Sequence, residues 1–222
     1  MPRAISKDPV TPPIRPTATP DSSAIVVARW EWRIFGRHVP LRELGSAITS
    51  EKPRNSAETY LLSSVGPHNV KIRGGVLELK HLDRIAHGGL EQWHPVLKAA
   101  FPLTTDALRA ACEVLGVAAP GAAPEGLTQE AFLQIVVVPN PTLRLVAVEK
   151  RRFRIAFGEC PGEGVSLVVD GARWESLAFE HHDAALLLET LRRLRLDVRQ
   201  NTNYPSGLKR IVGWPLAADV PP

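Results

Sequence analysis

The side chains with chemistry to offer in this sequence are lysines, arginines and a few glutamates that recur at two-residue spacing. In N-V-K-I-R-G-G-V-L-E-L-K (residues 69–80), Lys71 and Arg73 alternate with Val70 and Ile72, while Glu78 and Lys80 alternate with Leu77 and Leu79. In residues 24–35, Arg29, Glu31 and Arg33 alternate with Ala28, Trp30, Trp32 and Ile34. In residues 143–157, Arg144, Lys150, Arg152 and Arg154 all fall on even positions. A spacing of two places side chains on one face of a β-strand. Like charges side by side on one face repel each other, so such clustering suits a face turned towards a polyanion. Arg can grip phosphate oxygens through two parallel hydrogen bonds, and Lys acts on them as a point charge. The same spacing is also that of an antiparallel sheet with one charged face in water. Spacing alone leaves both readings open.

The elements that must position these groups follow from local signals. Gly74-Gly75 between two alternating runs predicts a two-residue β-hairpin turn, because both central positions of a type I′ turn need positive φ. That turn sets Arg73 opposite Val76, Lys71 opposite Glu78 and Asn69 opposite Lys80. Further strands are expected over residues 24–35, 58–63, 143–157, 163–169 and 174–180, with Asp170-Gly171 as a second turn. Helices are expected over 40–50, 89–100 and 105–115, mainly helix over 128–137, and an amphipathic helix from Asp183 to about Arg195. Thr104 or Thr105 and Asp183 supply N-cap oxygens. Residues 203–209 read as irregular. The pattern is thus seven or eight strands, mostly joined as hairpins, with helices at the corners. A sheet closed on itself would turn the charged faces inward and pack the apolar faces under helices.

Composition sets the limits. With 222 residues, 44% hydrophobic and 23% charged, the chain is an ordinary globular protein able to bury a full core. A formal net charge of +4 permits an anionic ligand without demanding nucleic acid. The aromatic residues sit mostly on apolar faces, which argues against base stacking along a single strand. No apolar run approaches a membrane span, and the N-terminus lacks a secretory h-region. Cys112 and Cys160 alone make no disulfide framework, so a reducing cytoplasm is the expected compartment. Residues 1–22 are rich in Pro, Thr and Ser and are expected to be a disordered tail. Residues 23–213 are expected to form one domain with a mostly helical insertion at 85–140, and 214–222 a frayed end.

Taken together, these motifs resemble the CYTH, or triphosphate tunnel, proteins. Trp30-Glu31-Trp32-Arg33 resembles that family's E-x-E-x-K strand, and Glu58-Thr59-Tyr60 the segment before its middle hairpin. Val70-Lys71-Ile72-Arg73 and Leu77-Glu78-Leu79-Lys80 resemble its L-R-I-R and L-T-L-K strands, and Lys150-Arg151-Arg152 its later basic strand. Residues 204–209 resemble its closing segment. The resemblance implies an α+β fold, a closed antiparallel eight-stranded β-tunnel with helices outside. It implies metal-dependent hydrolysis of inorganic tripolyphosphate or an organic triphosphate. Phosphate ligands would be Arg29, Arg33, Lys71, Arg73, Lys80, Lys150, Arg152 and Lys209. Glu31, Glu78, Glu163 and Glu180 would hold Mg²⁺ or Mn²⁺. Arg29 stands where the first Glu of E-x-E-x-K is expected, Arg33 replaces its Lys, and Ala178 stands two before Glu180 where a second Glu is usual. Those departures leave a second expectation, a phosphate- or nucleotide-binding module of the same fold without catalysis. Neither a membrane nor nucleic acid is an expected partner, and the oligomeric state is left open.

Overall fold

The structure is a computed structural model and describes residues 28–40, 52–121 and 125–216. Eight antiparallel strands close into a barrel: β1 (Arg29–Gly36), β2 (Arg54–Ser63), β3 (Asn69–Arg73), β4 (Val76–Ile85), β5 (Glu91–Ala100), β6 (Leu143–Phe157), β7 (Cys160–Val169) and β8 (Ala172–His181). Their order is β1-β5-β4-β3-β2-β6-β7-β8, and β8 pairs back onto β1. Among the described residues, four α-helices accompany them: α1 (Thr105–Leu115), α2 (Gln129–Phe132), α3 (Ala184–Arg193) and α4 (Tyr204–Ile211). A π-helical turn, Leu133–Val137, continues α2.

The central hairpin has the expected register, with Asn69 opposite Lys80, Lys71 opposite Glu78 and Arg73 opposite Val76. Gly74 and Gly75 take φ of 56° and 71°, as a type I′ turn requires. Strand alternation then sorts every side chain to one side of the barrel wall. Val70, Ile72, Leu77 and Leu79 point outward and are buried with Leu108, Ala111 and Phe132 of α1 and α2. Trp32, Ile34, Leu177 and Phe179 point outward under Leu187 and Leu191 of α3. A third cluster lies inside. Tyr60, Leu62, Val146, Val148, Val165 and Leu167 share the alternation phase of the charged interior residues, and Tyr204 and Leu208 of α4 pack among them. Helix α4 therefore plugs one end of the barrel, leaving the charged end open.

Two segments differ from their sequence pattern. Residues 91–100 form β5, a strand of the barrel itself, where a helix is expected over 89–100. Leu90, Trp93, Val96 and Leu97 mimic helical spacing, but Pro95 in a helix interior would remove a hydrogen bond and clash with the preceding turn. In the sheet, Pro95 lies opposite Lys80, where the register shifts after Leu79 and the ladder is already irregular. Residues 203–209, expected to be irregular, begin α4. Asn203 caps it by accepting from the Ser206 N–H at 2.8 Å, and Pro205 lies in its first turn. Gly207 weakens the helical signal, yet its close approach to β1 requires it: a Cβ there would lie 2.6 Å from the Phe35 ring. The strand over 143–157, the helix over 105–115, the helical stretch over 128–137 and the helix capped by Asp183 are found as expected. Residues 163–169 lie in β7, which begins at Cys160. The expected tail over 1–22, the start of the first strand, most of the helix over 40–50 and residues 217–222 lie outside the described residues. Among the described residues, no helix is long and apolar enough to cross a membrane.

Candidate functional site

The open end of the barrel holds a cavity of about 540 Å³. Strands β3 and β4 send Lys71, Arg73, Glu78 and Lys80 into it, and β6 sends Lys150, Arg152 and Arg154. Strand β1 contributes Glu31 and Arg33, β7 Glu163, and β8 Glu180. Among the described residues, seven cations and four carboxylates line it; Glu58, buried against Lys71 and Lys150, adds a fifth carboxylate, so the interior carries a surplus of two positive charges. Ten of the twelve site residues expected from sequence are thus brought together around one cavity.

The other two are not. Arg29 does not line the cavity; its exposed guanidinium donates to Glu180 Oε1 at 2.6 Å. Lys209 is buried on α4 and donates from Nζ to the Gly66 carbonyl at 3.0 Å. Its position follows from the helix: Leu208 faces the interior, and the next residue points about 100° away. Lys209 fastens the plug to the loop before β3 and does not line the cavity.

Two ion-pair networks order the lining. In the first, Arg33 Nε donates to Glu31 at 3.0 Å, its Nη1 donates to Ser176 Oγ at 2.9 Å and lies 3.6 Å from Glu163, and its guanidinium stacks 4.3 Å from the Tyr204 ring centre. Burial works against both charges, but Arg33 and Lys80 hold the Glu31 carboxyl below its usual range, and Glu31 raises the Arg33 guanidinium. Glu163 also faces Arg152 at 3.8 Å. In the second network, Glu58 on β2 accepts from Lys150 at 2.8 Å and from Lys71 at 3.2 Å. Burial would raise the Glu58 carboxyl, but Lys150 and Lys71 overcome it and hold it down at about 2. Glu78 accepts from Arg73 at 2.6 Å and lies 3.5 Å from Lys71. Burial opposes its charge, but Lys71 and Arg73 keep the Glu78 carboxyl below its usual range.

Not all donors are used. Among the described residues, the Tyr204 hydroxyl and Arg152 Nε are buried without a hydrogen-bond partner, as is Asn69 Oδ1. All three residues line the cavity. Unpaired buried polar atoms are costly; an oxyanion would suit the two donors, the Tyr204 hydroxyl and Arg152 Nε, whereas Asn69 Oδ1 is an acceptor and needs a donor or a cation.

Three of the carboxylates lie near one another in the barrel wall. Glu31 lies directly opposite Glu180, and Glu163 opposite Ala178, so Glu31, Glu163 and Glu180 share one wall of the interior. Each faces an arginine, and among the described residues no three His, Cys, Asp or Glu side chains converge closely enough to hold an ion by themselves. A hard divalent ion could use these oxygens only with phosphate and water as co-ligands. Glu78 stands with Arg73 and Lys71 on the β3–β4 side, apart from those three.

Five residues of the site are given no role by sequence reasoning: Glu58 and Tyr60, which appear there only as part of a motif, and Asn69, Tyr204 and Glu91. The even phase of β6 already points to Arg154. Glu91 lies opposite Glu31 on β5 and accepts from Asn203 Nδ2 at 2.7 Å, linking the barrel wall to the cap of α4. Burial pushes its carboxyl up to about 7, against the Asn203 hydrogen bond and with the help of the Glu31 charge.

No protein-family model matches this sequence, and no curated protein sequence matches it significantly. Solved structures do match its fold. HpAC1 from Hippeastrum, an adenylyl cyclase homologue whose dominant activity is that of a triphosphatase, superposes with a TM-score of 0.51 at 11% identity, over 85% of this chain and 97% of that one. An adenylate cyclase candidate from Bacillus halodurans gives 0.46 at 12% identity, over 83% and 98%. The PH1819 protein from Pyrococcus horikoshii gives 0.42 at 10%, over 82% and 98%. At 11% identity the HpAC1 likeness is one of fold. The resemblance drawn from the motifs therefore stands at that level: the chain has the fold of the triphosphate tunnel proteins.

Proposed function

We propose that the barrel interior binds a triphosphate and hydrolyses it with the help of a divalent metal ion. The observation that carries this reading is the cavity itself, set inside a closed barrel above the α4 plug, with a surplus of two positive charges once Glu58 is counted and unpaired buried donors in its wall. A triphosphate bound to one divalent ion carries negative charge of comparable size. The cavity volume of about 540 Å³ suits a small ligand. Hydrolysis of a phosphoanhydride asks a protein mainly to position the chain and stabilise charge. Lys71, Arg73, Lys80, Lys150 and Arg152 would bind phosphate oxygens, with Arg154 of the same strand β6, Arg33 of β1 and Tyr204 of α4 contributing beside them. Glu31, Glu163 and Glu180 would hold Mg²⁺ or Mn²⁺ together with phosphate oxygens, and the ion would polarise the phosphate. The substrate class is inorganic tripolyphosphate or an organic triphosphate, and the triphosphatase activity of HpAC1 supports it by analogy of fold.

A second reading, anion binding without turnover, is favoured by one observation. Ala178 lines the cavity at a position where a further carboxylate is expected, and Glu31, Glu163 and Glu180 are all within ion-pair range of arginine. Phosphate release from tripolyphosphate, with and without Mg²⁺ or Mn²⁺, separates the two. Turnover that needs metal and disappears in a Glu31→Ala, Glu180→Ala double variant supports hydrolysis. Tight binding without turnover in any metal supports the second reading.

A further inference from the structure

Glu58 is the most enclosed carboxylate of the interior. Its side chain has 0% exposure, whereas those of Glu31, Glu78, Glu163 and Glu180 retain 17–37%. The register explains why. Glu58 lies opposite Arg73 on one side and Val148 on the other, with Lys71 opposite its neighbour in phase, Tyr60, and Lys150 opposite Ser56. One carboxylate on β2 thus sits between the cations of β3 and those of β6. Oε2 accepts from Lys150 Nζ at 2.8 Å, the Tyr60 hydroxyl at 3.1 Å and Lys71 Nζ at 3.2 Å. Oε1 accepts from Ser56 Oγ at 3.3 Å and lies 3.6 Å from Arg73 Nη1.

A carboxylate has about four acceptor sites, and this one is saturated by the protein. It has nothing left for a metal or a substrate, and acts only through its neighbours. Lys150 also donates to the Tyr60 hydroxyl at 2.7 Å and lies 3.6 Å above the Tyr204 ring, so its ammonium is held from three sides. An ammonium has three donors, and an unrestrained lysine distributes them over many rotamers.

We propose that Glu58 is a positioning residue of the phosphate site. It fixes the Lys71 and Lys150 ammonium groups so that a bound anion meets donors already in place, at the expense of one positive charge's worth of ground-state attraction. Preorganised donors matter most where charge develops in the transition state, so affinity and turnover should respond to Glu58 in opposite directions. This rests on the cavity being a phosphate site, as proposed above.

The test uses two variants of the full chain, with affinity for tripolyphosphate measured by calorimetry and turnover by phosphate release in Mg²⁺ at constant salt. Glu58→Gln keeps the shape and an acceptor but removes the charge; assayed at pH 6, below the value of about 7 to which burial pushes the Lys150 ammonium against the pull of Glu58, it should bind tripolyphosphate ~5-fold more tightly and lose ~10-fold or more in kcat. Glu58→Asp keeps the charge, and with it the ion pairing that supports folding, but withdraws the carboxylate by one methylene. It should bind within about twofold of the parent and still lose ~10-fold in kcat. A merely structural role would instead lower affinity and kcat together in both variants, alongside the melting temperature, and would overturn the proposal. Unchanged kcat in both variants would overturn it too. If the parent binds without turnover, the affinity arm decides: tighter binding by Glu58→Gln supports positioning at a charge cost, and weaker binding overturns it. If the parent neither binds nor hydrolyses tripolyphosphate, the phosphate site itself fails, and this proposal with it.

Discussion

Replacing Glu91 by Gln should stabilise the protein above neutral pH and leave it nearly unchanged near pH 5. Glu91 is 8% exposed and faces Glu31 across the β1–β5 pair. Burial and the Glu31 charge raise its carboxyl from 4.5 to about 7, and the Asn203 hydrogen bond only partly offsets them. A carboxyl whose pKa is higher in the folded state binds its proton more tightly there. Its contribution is therefore fully present below the unfolded value and is lost as pH rises through the folded one. A shift of this size corresponds to about 3 kcal/mol between pH 4.5 and 7 as an upper bound. Gln carries no charge to desolvate and can still accept from Asn203 through its carbonyl oxygen. At pH 8 the variant should gain about 1–3 kcal/mol, or roughly 3–10 °C in melting temperature for a chain of this length. The assay is thermal unfolding from pH 5 to 8.5 in a chelator, so that bound metal does not neutralise the carboxylates. A Glu91→Gln variant less stable at pH 8, or offset by the same amount at every pH, would refute the reasoning.

Gly207→Ala sets two effects against each other. Ala favours the helix by about 1 kcal/mol, but its Cβ would lie 2.6 Å from the Phe35 ring, and overpacking costs about 1–3 kcal/mol. The clash should win, so the melting temperature falls; a rise would show that α4 has room to move. Thr104→Ala removes the cap that accepts from the Ala107 N–H at 3.2 Å. It should cost about 1 kcal/mol, read as a loss of roughly 2–4 °C, without changing tripolyphosphate affinity, because α1 packs on the outer face of the barrel.

The parts of this site legible in sequence are those encoded by a period of two. Lys71, Arg73, Glu78 and Lys80 follow from the Gly74-Gly75 turn, because the turn type fixes the register. Lys150, Arg152 and Arg154 follow from the even phase of β6. Glu58 belongs to a motif quoted from sequence, but the direction and role of its side chain are not legible there, because Tyr60, Leu61 and Leu62 are all buried. Where the barrel is packed on both faces, alternation in sequence disappears, and only the pairing of Glu58 with Arg73 reveals which way it points. Strand β5 was hidden because Leu90, Trp93, Val96 and Leu97 match the helical period by coincidence, although Pro95 argues against a helix. Helix α4 was hidden because its stability comes from insertion into the barrel, where Tyr204 stacks on Tyr60 at 5.4 Å and meets Phe35 edge-on at 4.9 Å. No local propensity carries that information, and with it went the position of Lys209.

The claim that the interior is an anion cradle is tested most directly by the melting temperature of the unmodified protein in increasing tripolyphosphate, with orthophosphate as the comparison. Ligand at about a hundred times its dissociation constant adds about 2.7 kcal/mol, or roughly 5–10 °C here. The account predicts a rise of that order with tripolyphosphate, a much smaller one with orthophosphate at equal concentration, and a weakening of both as salt is added. No shift at millimolar tripolyphosphate would contradict it.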